Sequence, residues 1–176
     1  LVLATPTAVM PAIRQAARHG VIIKSGEALE MMGKVDMIAF NKTGTLTQGC
    51  LKVSDIICTD SSMGEEELLS LAAAAEARSE HPLGKAITAC ARERNIPIRE
   101  ALGFKMTAGR GICARVEGQR LFCGSEKFLE QQGIFITPLV QEPLERLRAQ
   151  GKAAVLAADD KRCIGIIALS DVLRPE

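Results

Sequence analysis

Apolar positions recur along this chain with two different periods, and the changes of period divide it into elements. The opening "LVLATPTAVMPAI" is an apolar run interrupted by Pro6 and Pro11. From residue 12, "AIRQAARHGVIIKSGEALEMM" mixes helical spacing with a short apolar "VII" and a break at Gly26. Ser25 is placed to cap a helix over "GEALEMMGKV", with Gly33 near its end. "VDMIAF" is apolar except for Asp36 and predicts a buried strand that runs into the polar turn "NKTGTLTQG". "CLKVSDIIC" alternates and predicts a second strand.

The period then becomes helical. In "SSMGEEELLSLAAAAEARS", Leu68, Leu69, Leu71, Ala72 and Ala75 fall on one face, while Glu65, Glu66 and Glu67 suit the positive end of a helix. "HPLGKAITACARERN" predicts a second helix entered through Pro82, a residue favoured in a first turn. "ALGFKMTA", "GICARVE" and "QRLFCG" predict short strands separated by "GRG" and "GQ" turns. "SEKFLEQQG" predicts a short capped helix ending at Gly133, and "TPLVQEPLERLRAQG" another helix. "KAAVLAA" and "RCIGIIAL" predict a hairpin around "DDK". Runs of strands beside runs of helices indicate an α+β domain with an antiparallel sheet. The strand before Asn41 and the "LSDVLRPE" tail are expected to belong to a different, split domain.

Composition narrows the function classes. With 176 residues and 47% hydrophobic content, the chain can build a core and is not expected to be disordered. Lys and Arg number 22 against 21 Asp and Glu, a net charge of +1, so there is no electrostatic footprint for nucleic acid. Aromatic residues make up 3%, with no Trp or Tyr, which removes base-stacking platforms as well. Cys50, Cys58, Cys90, Cys113, Cys123 and Cys163 form no CxxC pair and are expected as buried, reduced thiols of a cytosolic protein. No secretory leader is expected at the start. The apolar opening is too short to cross a bilayer alone, and it reads as the end of a membrane helix.

The turn after "VDMIAF" carries the candidate chemistry. Lys42 can neutralise phosphate charge, Thr43, Thr45 and Thr47 offer hydroxyls, and Gly44 lets the backbone approach a ligand. By composition alone an ordinary polar loop would explain it equally well. The order of residues does more: "NKTGTLT" differs at one position from DKTGTLT, the phosphorylation signature of P-type ATPases, ion pumps whose phosphorylated domain is similar to the haloacid dehalogenase superfamily. Other stretches resemble the heavy-metal (copper, zinc and cadmium) branch in the same order. They are "ATPTAV", "GVIIKSGEALE", "SEHPLGKAI" with its His-Pro pair, "GRGI" with its glycine pair, and "LSDVLRPE".

The resemblance implies an architecture and a set of roles. Residues 1–34 would be the cytoplasmic end of a membrane helix and a linker. Residues 35–48 would begin a haloacid dehalogenase-like α/β phosphorylation domain, residues 49–168 would form the inserted nucleotide-binding domain, and residues 169–176 would return to the phosphorylation domain. In such pumps an aspartate at position 41 attacks the γ-phosphate of ATP, with Mg²⁺ and a lysine offsetting charge. Lys42, Thr43 (through its backbone carbonyl, to Mg²⁺) and Thr45 would serve that step. His81 would contact adenine and Glu76 its amino edge, with Gly109, Gly111, Ile112, Gly124 and Ser125 shaping the nucleotide site. Neutral imidazole can stack on a purine and hydrogen-bond it, and a carboxylate, being acceptor-only, suits an exocyclic amine. Taken alone, His81 would read as a solvated loop residue and the glycine pair as a hairpin turn. Implied partners are ATP and the rest of a pump: membrane domain, actuator domain and the remaining phosphorylation domain, at the cytoplasmic face of the cell membrane.

The chain departs from the pattern twice. Ser125 stands where the heavy-metal branch has Asn after the glycine, keeping a hydroxyl and losing an amide. Asn41 stands where the nucleophile should be, and an amide nitrogen delocalised into its carbonyl cannot accept a phosphoryl group. A deliberate Asp-to-Asn exchange, a natural loss and a slowly deamidating precursor are all compatible with that residue. The expected function is therefore the ATP-binding part of a heavy-metal pump, unable to be phosphorylated. The alternative is a non-catalytic nucleotide-binding regulatory module.

Overall fold

A computed structural model of the chain describes residues 4–174, and side chains from residue 8 onward except those of Lys42 and Thr43. Two compact units divide between Asn41 and Lys42.

The first unit contains helices α1 (Ala4–Arg18) and α2 (Gly26–Met32). The Ser25 hydroxyl caps α2 by accepting from the Ala28 N–H at 3.1 Å, and Gly33 closes it, as the sequence predicts. The two helices touch where Gly26 meets Val9. Among the described residues no helix is long and apolar enough to cross a membrane. The strand expected at "VDMIAF" does not form: residues 35–40 run without regular structure, and Met37 and Ile38 are 82% and 69% exposed. The reason is pairing. A buried strand needs hydrogen-bonded neighbours and a covering layer, and none of the described strands pairs with this run.

The second unit opens with one turn of π-helix, Lys42–Leu46, and is organised by an antiparallel six-stranded sheet in the order β1-β6-β5-β4-β3-β2. Its strands are β1 (Thr47–Cys58), β2 (Ala101–Thr107), β3 (Gly111–Val116), β4 (Gln119–Gly124), β5 (Ala153–Ala158) and β6 (Cys163–Leu173). Helices α3 (Glu65–Glu76) and α4 (Pro82–Glu93) cover one face, and α5 (Glu126–Gln131) and α6 (Pro138–Ala149) cover the other.

Alternation along the strands builds both cores. Ile167 and Leu169 pack with Leu68, Leu69 and Ile87, while Ile166 and Ala168 point the other way to Leu129, Leu144 and Leu147. That two-sided burial explains why β5 and β6 read as nearly continuous apolar runs rather than alternating ones. Helix α3 is buried more widely than its predicted face: Leu68, Leu69 and residues 72–76 are all buried, and Leu71 is only half-buried. Its short alanine side chains let the helix lie close on the sheet. The cysteines correct another expectation. Cys123 and Cys163 are buried, but Cys50 is exposed and Cys58, Cys90 and Cys113 are half-buried, because they sit on partly covered strand and helix faces.

Strand β1 enters the sheet beside the end of β6, with Thr47 opposite Leu173. This end of the sheet holds the "KTGTL" turn in place. The Gly44 N–H donates to Thr47 Oγ1 at 3.2 Å, and Thr47 Oγ1 donates to the Asp171 carboxylate. The Arg174 guanidinium donates to the Gly44 carbonyl at 3.0 Å and to the Thr47 carbonyl at 3.2 Å.

Candidate functional site

Where α3 ends, the chain must turn into α4, and that turn builds one wall of a cavity. The Ser79 N–H donates to the Glu76 carbonyl at 2.8 Å, closing α3. Pro82 then starts α4, and His81 is its cap: Nδ1 accepts from the Leu83 N–H at 3.2 Å. With Nδ1 engaged in the cap, Nε2 is the ring nitrogen left to meet a ligand. The His81 N–H donates to Ser79 Oγ at 3.3 Å, and the Ser79 hydroxyl hydrogen-bonds the Glu76 carboxylate. Glu76, Ser79 and His81 are thus tied into one polar group.

Glu76 is only 6% exposed. Burial pushes its carboxyl above the ordinary 4.5, and the Ser79 hydrogen bond and the nearby imidazole pull the other way. Buried carboxylates are costly unless fully satisfied, and Glu76 retains acceptor capacity toward the cavity.

The opposite wall comes from strands β3 and β4. Gly111 and Gly124 face each other across the ladder, and neither position has room for a side chain. A Cβ on Gly124 would lie 2.6 Å from the Arg110 carbonyl oxygen, and one on Gly111 would lie 2.5 Å from Phe128. Gly109 is glycine for a different reason: its φ of +68° belongs to the left-handed region, with no atom near the missing Cβ. Ser125 caps α5 by accepting from the Phe128 N–H at 3.3 Å, and its own N–H donates to the Arg110 carbonyl at 3.0 Å.

These walls enclose about 170 Å³. Glu76, His81, Gly109, Gly111, Ile112, Gly124 and Ser125, singled out from separate stretches of sequence, all line this one cavity. The interior is polar at Glu76 and Ser79 and apolar at Leu83, Ile112 and Val155, a combination suited to a flat heterocycle with hydrogen-bonding edges. Ser79, Met106, Thr107, Arg110 and Cys123 also line it and were not foreseen. Ser79 lies between Glu76 and His81, and Arg110 lies inside the glycine pair, so both were within reach of a closer reading.

None of the described side chains of the "KTGTLT" turn lines this cavity. Asn41 ends the first unit and is exposed, and Thr45 is exposed on the turn held by Asp171 and Arg174. The side chains of Lys42 and Thr43 lie outside the described residues. Among the described residues no cluster of His, Cys, Asp or Glu could hold a metal ion.

The family model for haloacid dehalogenase-like hydrolases matches residues 35–176. The chain is 36% identical over 174 residues to the probable copper-exporting P-type ATPase V of Mycobacterium tuberculosis, covering 99% of this chain and 22% of that protein. Among solved structures, a zinc-transporting PIB-type ATPase superposes with a TM-score of 0.81 at 36% identity, over 98% of this chain and 28% of that one. The N-domain of a copper-transporting P-type ATPase superposes with a TM-score of 0.56 at 27% identity, over 69% of this chain and 99% of that domain. The chain spans about a fifth of the length of the curated relatives it matches.

Proposed function

Because the chain belongs to the haloacid dehalogenase-like hydrolases, we propose that it is the ATP-binding part of a heavy-metal-transporting P-type ATPase. The observation that carries this is the convergence of Glu76, His81, Gly109, Gly111, Ile112, Gly124 and Ser125 on one cavity. In this scheme Glu76 accepts from the exocyclic amine of adenine and the His81 ring stacks on the base. Residues 49–168 form the nucleotide-binding domain, and 35–48 and 169–176 are pieces of the phosphorylation domain. The whole pump, with its membrane and actuator domains, would work at the cytoplasmic face of the cell membrane on a cation of the copper, zinc and cadmium class.

Phosphorylation is a separate matter. Asn41 supplies an amide where a carboxylate would attack, so this chain forms no aspartyl phosphate. Toward a resident Mg²⁺ this chain would supply the Thr43 carbonyl. The Asn41 amide and the Thr43 carbonyl offer no anionic oxygen, whereas Mg²⁺ is held by carboxylates and phosphates. The anionic oxygens would come from the nucleotide's phosphates and from the remaining phosphorylation domain. Asn41 also favours a second role, that of a nucleotide-binding module that senses rather than hydrolyses. Coding sequence on either side separates the two: membrane segments with a Cys-Pro motif upstream belong to a pump.

The test is calorimetric titration of the chain with MgATP beside His81→Ala. Saturable binding that weakens on loss of the imidazole supports the adenine site, and no binding by the parent chain refutes it.

A further inference from the structure

We propose that Arg110 is the phosphate-docking residue of this cavity, the group that makes it a nucleotide site rather than a nucleoside site. The inference rests on the adenine-site assignment above. Among the described residues lining the cavity, Arg110 is the lone Lys or Arg, and Glu76 is the lone carboxylate. The two are placed at different depths: Glu76 is buried and Arg110 is exposed. A buried anion repels phosphate and accepts from an amine, so a bound nucleotide is oriented base inward and phosphates outward, toward the guanidinium.

Arg110 is also held for the task. Its N–H donates to the Thr107 carbonyl at 3.0 Å and its carbonyl accepts from the Ser125 N–H at 3.0 Å, so the backbone is fixed on both sides. Its Nη1 donates to Gln131 Oε1 at 3.1 Å. Several other arginines are neutralised: Arg99 by Glu117, Arg120 by Asp160, Arg148 by Glu126 and Arg162 by Asp60. Arg110 is steered by a neutral amide, which orients the fork, and among the described residues no ion pair engages it. The remaining N–H groups stay available for the paired oxygens of a phosphate.

Titration of the parent chain, Arg110→Gln, Arg110→Lys and Gln131→Glu with adenosine and with ADP, without magnesium, tests this. Arg110→Gln should weaken ADP about tenfold, the low end for a charge-assisted hydrogen bond because the site is exposed. Adenosine should stay within about twofold, since the base end is untouched. Arg110→Lys should fall between, keeping the charge and losing the fork. Gln131→Glu should weaken ADP several-fold without altering the 110 backbone, by neutralising the guanidinium. The advantage of ADP over adenosine should shrink as salt rises. Equal loss for adenosine and ADP, or no loss for either, overturns the phosphate role while leaving the adenine site standing. A parent chain that binds neither compound overturns both.

Discussion

Gly124→Ala probes whether β3 and β4 approach as closely as the cavity wall requires. The new methyl would lie 2.6 Å from the Arg110 carbonyl oxygen, 2.7 Å from the Gly111 Cα and 2.8 Å from Phe128 Cδ1. Ordinary contact begins near 3.4 Å, and the two nearest atoms are backbone, which cannot rotate away. The strands must therefore separate, and the 3.0 Å bond from Ser125 to the same carbonyl stretches with them. Overpacking of this kind costs about 1–3 kcal/mol, and a lost hydrogen bond adds about 1 kcal/mol. At roughly 2–4 °C per kcal/mol for a chain of this size, Tm should fall by about 5–15 °C. ADP affinity should fall with it, because the displaced backbone is cavity wall. Gly109→Ala is the control: with open space at the site, only the left-handed conformation opposes it, at about 1–2 kcal/mol. Thermal unfolding followed by circular dichroism, with ADP titration of each variant, measures both effects. Gly124→Ala melting within a degree or two of the parent, with unchanged affinity, would refute the close approach.

Other consequences can be checked in the same way. Since the folded-state pKa of Glu76 is raised, its ionisation opposes folding at pH values above the unfolded 4.5, and the handicap disappears below it. Glu76→Gln should therefore be at least as resistant to urea as the parent at pH 7, with the difference closing toward pH 4; a gap that widens on acidification contradicts this. Ser125→Ala should lose about 1 kcal/mol with the α5 cap, whereas Ser125→Asn, an equally good cap, should hold stability. An ATP affinity for Ser125→Asn below that of the parent would argue against an amide contact there.

What the sequence reveals depends on whether the deciding partners are near in the chain. Ser25, His81 and Ser125 cap helices through contacts two or three residues away, and the helix starts were accordingly legible. The "VDMIAF" run looked like a strand because its apolar content is strand-like, but pairing is a long-range property that the run does not carry. The cavity divides in the same manner. Glu76, His81 and the glycines were found through a resemblance of motifs. Cys123 and Val155 line the same space only because β4 and β5 lie side by side in the sheet, which no local spacing announces. The resemblance implies that Gly111 and Gly124 shape the nucleotide site. Within the fold Gly111 meets Cys123 and Phe128, twelve and seventeen residues away, while Gly124 meets Arg110 and Gly111, fourteen and thirteen away, and Phe128, four away.

The pairing of Thr47 with Leu173 has a topological consequence. Opposed residues in an antiparallel ladder lie about 5 Å apart, so the unit takes in its chain and gives it back at nearly the same point. A host domain could carry or lose such an insert without moving its own flanking elements. By the same token, a short linker from Leu173 to Thr47, with new ends opened at the exposed Asp160 and Lys161 of the turn between β5 and β6, would yield a circular permutant with the same sheet order.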